Sequence, residues 1–75
     1  MNNRIRIELG GLDAEGYNEL VVLISIDDIY VAKLNQEAGI ENLEIEFFEK
    51  SKLKKVEYDL FLEALFEAKK FLLNE

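Results

Sequence analysis

The chain of 75 residues contains no cysteine and no histidine. Without cysteine there are no disulfide bonds and no thiolate chemistry, and without histidine the commonest general base and the commonest metal ligand are missing. These two absences argue against catalysis. We therefore predict that the protein is not an enzyme and that it uses no cofactor.

Long apolar runs are missing as well. The first residues, MNNRIRIEL, lack the basic segment and the continuous apolar segment of a secretory signal. The longest apolar run, Leu20 to Ile24, is far too short to cross a bilayer. We expect a cytoplasmic protein.

The charge is strongly one-sided, with 16 acidic and 9 basic residues and a formal net charge of −7. This charge opposes binding to nucleic acid, because such binding depends mainly on Lys and Arg at phosphates. The excess acid is typical of a solvated surface that keeps a small protein soluble. The alternative is an acidic face that competes for the basic site of a partner, such as a nuclease. A chain of this length forms one domain, residues 1–75.

The central stretch ISIDDIYVAKL, residues 24–34, fits two local structures. It could be a helix capped by Ser25, with Asp28 three residues on and Gly39 as its end. It could also be a hairpin with a two-residue turn at Asp27-Asp28, which pairs Ile26 with Ile29, Ile24 with Val31 and Leu23 with Ala32. We favour the hairpin, because the preceding ELVVLISI is rich in β-branched residues and leaves no loop before such a helix.

The rest of the chain predicts an α+β fold. Arg4 to Leu9 and Leu43 to Phe48 alternate between apolar and polar residues, as half-buried strands do. Leu12 to Asn18 is expected to be a loop, and a short fifth strand is possible around Leu53 to Tyr58. Asp59 is expected to cap a helix from Leu60 to about Leu73. We predict a four- to five-stranded, mainly antiparallel meander sheet with one C-terminal helix on one face, in the order β-β-β-β-(β)-α.

The predicted fold has more apolar surface than one helix covers. The helix stripe expected to face the sheet consists of Phe61, Ala64, Leu65, Ala68, Phe71 and Leu72. Both faces of the central hairpin are also apolar, as in strands that are covered on both sides. We predict that the surplus forms an interface, made by Val22, Ile24, Ile26, Ile29, Val31, Leu62, Phe66 and Leu73. The alternative is that sheet curvature and the loop Leu12 to Asn18 cover the second face.

Three polar groups were candidates for chemistry. Asp27-Asp28 with Asp13 or Glu15 resembles a cation site only loosely, because no stretch matches the calcium-binding loop. Glu44 and Glu46 could act as an acid and a base, but they are better explained as partners of Arg4 and Arg6 or of nearby lysines. The segment Lys50 to Lys55 holds four lysines and is either a solvated loop or a docking rim for an acidic partner.

These observations favour a non-enzymatic protein-protein interaction module. In outline, a short acidic meander with a C-terminal helix resembles small prokaryotic inhibitor, immunity or accessory proteins. We expect a homodimeric inhibitor or regulator that acts by occluding a partner. The alternatives are an accessory subunit of a larger complex and, from another class, a small ligand-binding domain that uses surface carboxylates. The expected partners are a second copy or another protein, with no nucleic acid and no membrane.

Overall fold

The structure is a computed structural model and describes residues 2–10 and 19–74. Four strands and one helix follow one another along the chain. The strands are β1 (Ile5–Gly10), β2 (Val21–Ile26), β3 (Ile29–Asn35) and β4 (Glu44–Phe47), and the helix is α1 (Tyr58–Leu73). The strands form one antiparallel sheet in the order β1-β2-β3-β4. The predicted α+β meander with a C-terminal helix is confirmed.

The stretch 24–34 is a hairpin, so the alternative helix after Ser25 does not form. Asp27 and Asp28 occupy the turn with φ of 54° and 65°, and Ile26 pairs with Ile29 as predicted. Two successive residues with positive φ are what a type I′ hairpin turn requires. Aspartate tolerates this conformation better than most residues, which explains why the turn closes without glycine.

Beyond this turn the predicted pairing is wrong by one residue. Ser25 pairs with Tyr30, but Ile24 pairs with Ala32 rather than Val31, and Leu23 pairs with Lys33 rather than Ala32. The extra residue is a β-bulge at Val31, and a bulge reverses the faces of the residues that follow it.

The bulge separates apolar from polar residues in the second half of β3. Ala32 and Leu34 join Val22 and Ile24 in the core on the helix side. Lys33 turns to the opposite face, where the regular pairing would have placed Ala32. The hairpin is therefore less apolar on its second face than the regular pairing predicted.

The segment between β4 and the helix is irregular, so the possible fifth strand around Leu53 to Tyr58 is not formed. Leu53 and Val56 pack against the core from this segment. The predicted loop Leu12 to Asn18, together with its suggested cover of the second face, lies outside the described residues.

The helix α1 begins two residues earlier than predicted. Its N-cap is Glu57, whose side chain makes no capping hydrogen bond, and Asp59 lies within the first turn rather than at the cap. Asn74 ends the helix in the left-handed conformation with φ of 58°.

The buried stripe of α1 is rotated relative to the predicted one. Every fourth residue is buried, and these four residues define the inner stripe: Leu60, Ala64, Ala68 and Leu72. Phe71, predicted to face the sheet, is exposed, while Phe61 and Leu65 pack at the margin of the core. The two small alanines at the centre of the stripe allow the helix to approach the sheet closely.

The helix lies over only part of the sheet. Within the part of the chain that the structure describes, the backbone of α1 lies close to β1, β2 and β3 but not to β4, which the helix reaches through the ring contact of Phe61 with Phe47. The side of β4 that faces the helix layer is therefore largely uncovered.

Candidate functional site

The most distinctive surface of the molecule is an apolar strip that runs from β4 across the adjoining flank of α1. Phe47 on β4 is 68% exposed, and Phe66 on the helix is 62% exposed. Soluble monomers rarely leave large apolar side chains together at the surface, and such patches mark interaction sites. We call this surface the β4–α1 strip; its exposed members are Ile40, Ile45, Phe47, Tyr58, Leu62 and Phe66.

The pairing of β3 with β4 explains why the strand side of the strip is apolar. Ile45 pairs with Leu34 and Phe47 pairs with Ala32, so both point toward the helix layer. Leu34 and Ala32 are buried, whereas Ile45 and Phe47 lie one strand farther out, at the margin of α1, and are exposed. The ring of Phe47 stacks on that of Phe61, with centroids 6.4 Å apart and planes 29° apart.

Between β4 and α1 the strip forms a groove with two depressions. The first, of about 140 Å³, lies near the start of the helix and is lined by Val31, Phe47, Leu53, Lys54, Lys55, Val56 and Phe61. The second, of about 260 Å³, lies farther along the helix and is lined by Leu34, Ile40, Glu41, Leu43, Ile45, Leu65 and Lys69. An apolar floor with charged groups at its margins is the general form of a protein-binding groove.

The two flanks of α1 differ in chemistry. The flank toward β4 carries Phe61 and Leu65 at the margin of the core and then Leu62 and Phe66 on the outside. The flank toward β1 carries Glu63, whose carboxylate accepts a hydrogen bond from the backbone N–H of Asn2 at 2.9 Å. Apolar surface is thus concentrated on the side of the uncovered strand.

The structure divides the predicted interface residues into two groups. Val22, Ile24 and Ile26 are fully buried, Val31 is nearly so, and all four belong to the chain's own core. Val22, Ile24 and Ile26 have no surface left for a partner in this fold, because they lie between the sheet and α1, whereas Val31 keeps a small exposed surface in the first depression of the groove.

The other four predicted interface residues retain some exposure. Leu62 and Phe66 are exposed, and Ile29 and Leu73 are partly buried. Sequence reasoning missed the strand side of the strip, Ile45 and Phe47, as well as Ile40 in the preceding loop. The alternation of LEIEFF placed Ile45 and Phe47 on one side of the strand, but the sequence has no signal for how far the helix reaches.

The opposite face of the sheet carries an open pocket of about 530 Å³ next to the ends of β3 and β4. Tyr30 and Phe48 lie side by side there with ring centroids 5.8 Å apart, and the Lys33 ammonium sits 5.3 Å from the centre of the Phe48 ring. Lys50 and Lys52 line this pocket, whereas Lys54 and Lys55 line the groove on the helix side. The predicted lysine-rich rim is therefore split between the two faces of the sheet.

Arg4 forms the densest polar cluster among the described residues. Its guanidinium donates two hydrogen bonds of 2.8 Å to the Asp27 carboxylate and a further one to Glu57. These hydrogen bonds lower the pKa of Asp27 and of Glu57 and raise that of Arg4. The cluster joins the start of β1, the hairpin turn and the N-cap of α1, which is a structural role.

The remaining carboxylates of residues 2–10 and 19–74 do not assemble into a site. β1 and β4 lie at opposite edges of the sheet, so the predicted pairing of Glu44 and Glu46 with Arg4 and Arg6 is wrong. Instead, Glu46 accepts a hydrogen bond of 2.6 Å from Asn35, and Arg6 pairs with Asp28 at 3.6 Å. Among the described residues no three acidic side chains are placed to hold a metal ion. Asp13 and Glu15 lie outside those residues.

Comparison of the chain with known protein families, with curated proteins and with solved structures finds no match. Within residues 2–10 and 19–74 there is no helix long and apolar enough to span a bilayer.

Proposed function

We propose that the protein is a non-enzymatic protein-protein interaction module whose β4–α1 strip is covered by protein in its working state. The observation that carries this proposal is the exposure of Phe47 on β4 and of Phe66 on α1, with Phe47 joined to the helix by its ring contact with Phe61. Aromatic side chains are enriched at the centres of protein interfaces, where they lose their contact with water. Covering them would stabilise the complex through the hydrophobic effect.

The net charge of −7 supports a role in occlusion. An acidic surface is attracted to a basic site on a partner and accelerates the encounter with it. We propose that the assembled protein works as a cytoplasmic inhibitor or regulator that blocks such a site. A role as accessory subunit is the second candidate, because β4 is also an unpaired edge strand to which another chain can add.

A tagged chain expressed in its source organism tests the proposal. We expect the chain to be recovered with a stoichiometric amount of protein, either a second copy or a different chain. Phe47→Glu should abolish this recovery, because a charge replaces the apolar floor of the groove. Phe71→Glu is the matched control, since Phe71 is an exposed phenylalanine on the same helix but outside the strip.

Circular dichroism of both variants establishes that the fold is retained. A wild-type chain that stays monomeric at every concentration and is recovered alone would overturn the proposal. So would a partner that binds both variants equally well.

A further inference from the structure

The uncovered part of the sheet has room for one more helix. Neighbouring strands lie about 4.8 Å apart and packed helices about 8–10 Å apart, so a helix beside α1 is centred about two strands away from it and extends past the edge of the sheet. The helix α1 occupies the position over β1, β2 and β3, so the free position lies beside it, over Ile45 and Phe47 of β4.

The chain itself carries a helix surface suited to that position. At about 100° per residue, Leu62 lies roughly opposite the inner stripe of α1. Tyr58, Leu62 and Phe66, spaced four residues apart, form an exposed outer stripe. One molecule therefore has both an apolar groove and an apolar ridge, as a self-complementary interface requires.

Resting on the proposed function, we propose that the protein covering the β4–α1 strip is a second copy of this chain, whose α1 fills the free position over β4. The two helices then form one layer between two sheets. Each helix packs on its own sheet with the inner stripe and on the partner's β4 with the outer stripe. Phe61 and Leu65 of the two copies face each other across the two-fold axis.

The symmetry of this arrangement fixes the direction of the helices. The two-fold rotation exchanges the two helices within their layer and also exchanges the sheets on either side of that layer. Its axis therefore lies between the helices and runs parallel to them, so both helices point in the same direction. The charges along the groove agree with this direction. Lys54 and Lys55 lie at the end near the start of α1, whereas the depression farther along the helix carries charges of both signs, Glu41 and Lys69.

The helix has the complementary distribution of charge. Acidic Asp59 lies in its first turn, and Lys70 lies in its last turn. A parallel helix in the groove brings its Asp59 to Lys54 and Lys55. An antiparallel helix would bring its lysines to Lys54 and Lys55. Charges at the margin of an interface select its orientation in this way.

A stable interface takes about 800 Å² from each partner, so this dimer would bury roughly a seventh of the 5292 Å² surface of each chain. The opposite sheet faces, with Glu8, Tyr30 and Glu44, lie on the two outer surfaces of the dimer. These faces, which carry both acidic and basic side chains, remain available for the partner that the proposed function requires.

Analytical ultracentrifugation of the purified full chain is the first test. We expect a dimer for the wild type and a monomer for Phe47→Glu, which alters the groove, and for Phe66→Glu, which alters the ridge. Phe71→Glu should remain dimeric. All three side chains are exposed, so the substitutions preserve the monomer fold, which circular dichroism checks.

A cross-link tests the contact between groove and ridge directly. The chain has no cysteine, so Ile45→Cys and Phe66→Cys variants each carry a single thiol. When the two variants are mixed under oxidising conditions, we expect a disulfide between different chains that forms faster than in a mixture of Ile45→Cys with Phe71→Cys.

Charge reversal tests the direction of the helices. Lys54→Glu with Lys55→Glu should weaken dimerisation at least about tenfold, because these side chains then face Asp59 of the partner. Adding Asp59→Lys to the same chain should restore part of the lost affinity. No restoration in a folded chain would overturn the parallel arrangement.

Two results would overturn the inference and leave the proposed function intact. One is a wild-type monomer whose strip binds a different protein in a manner sensitive to Phe47→Glu. The other is a dimer that survives both Phe47→Glu and Phe66→Glu while Phe47→Glu abolishes binding of that different protein. A wild-type monomer that binds no protein at all would overturn both proposals.

Discussion

The covered and uncovered parts of one sheet face carry similar apolar residues, but these residues differ in burial. Ile24 on β2 and Phe47 on β4 both point toward the helix layer, but Ile24 is fully buried and Phe47 is mostly exposed. Their burial differs because a single helix is too narrow to cover all four strands. An apolar side chain on a strand therefore predicts burial only when another layer reaches it.

The largest expected effect is a direct test of this difference in the monomer. Ile24→Ala should lower the free energy of unfolding by about 2–5 kcal/mol, because it leaves a cavity in a closed core. Phe47→Ala removes a larger side chain but should cost about 1 kcal/mol or less. Urea denaturation at low protein concentration measures both. Equal losses would show that β4 is as well covered as β2.

The same comparison applies to the two sides of the helix. Ala64→Leu adds volume to the fully buried inner stripe, where it should cost about 1–3 kcal/mol through overpacking. Leu62→Ala on the exposed outer stripe should change the free energy of unfolding of the monomer by about 0.5 kcal/mol or less. If Leu62→Ala proved the more damaging in the monomer, the helix would have to pack on the sheet with its other side.

Features of the sheet that depend on neighbouring residues could be predicted from the sequence, whereas features that depend on contacts with the helix could not. The hairpin turn was predictable, because Asp27 and Asp28 stand between two β-branched runs and tolerate positive φ. The register beyond it was not, since a bulge at Val31 depends on which face the helix covers. The signal was Lys33, which regular pairing would have directed into the core opposite Val22.

The candidate site was predictable only on its helix side. Leu62 and Phe66 follow from the helical period and the position of the inner stripe. Ile45 and Phe47 were assigned to an apolar strand face, but their exposure depends on the placement of α1 over the sheet. Val22, Ile24 and Ile26 entered the predicted interface because the regular register made both hairpin faces appear equally apolar.

A smaller effect is expected in the hairpin turn, outside both parts of the sheet face. Asp28 has φ of 65°, at the turn position where glycine is favoured. Asp28→Gly should therefore raise the free energy of unfolding by roughly 0.5 kcal/mol. Gly39 also has a positive φ, of 101°, which alanine rarely adopts. Gly39→Ala should therefore lower the free energy of unfolding by about 1 kcal/mol. Thermal denaturation of the two variants should shift in opposite directions, and shifts of the same sign would contradict the assigned turn.

The smallest expected effect concerns the acid sensitivity of the covered part, where Arg4 links β1, the hairpin turn and the start of α1. Hydrogen bonds from Arg4 lower the pKa of Asp27 and Glu57 below their ordinary values of 3.8 and 4.5. Because both carboxylates titrate lower in the folded chain, their stabilising effect is complete above the ordinary values. It is lost as the pH falls through the lowered ones.

Arg4→Ala should remove this part of the pH dependence, so that the urea midpoint of the variant falls less steeply below pH of about 4.5 than that of the wild type. Arg6→Ala is the matched control, because Arg6 pairs with the exposed Asp28 only at 3.6 Å. Its profile should follow the wild type, since exposed ion pairs contribute little. Identical profiles for Arg4→Ala and Arg6→Ala would mean that the Arg4 cluster does not hold the covered part together.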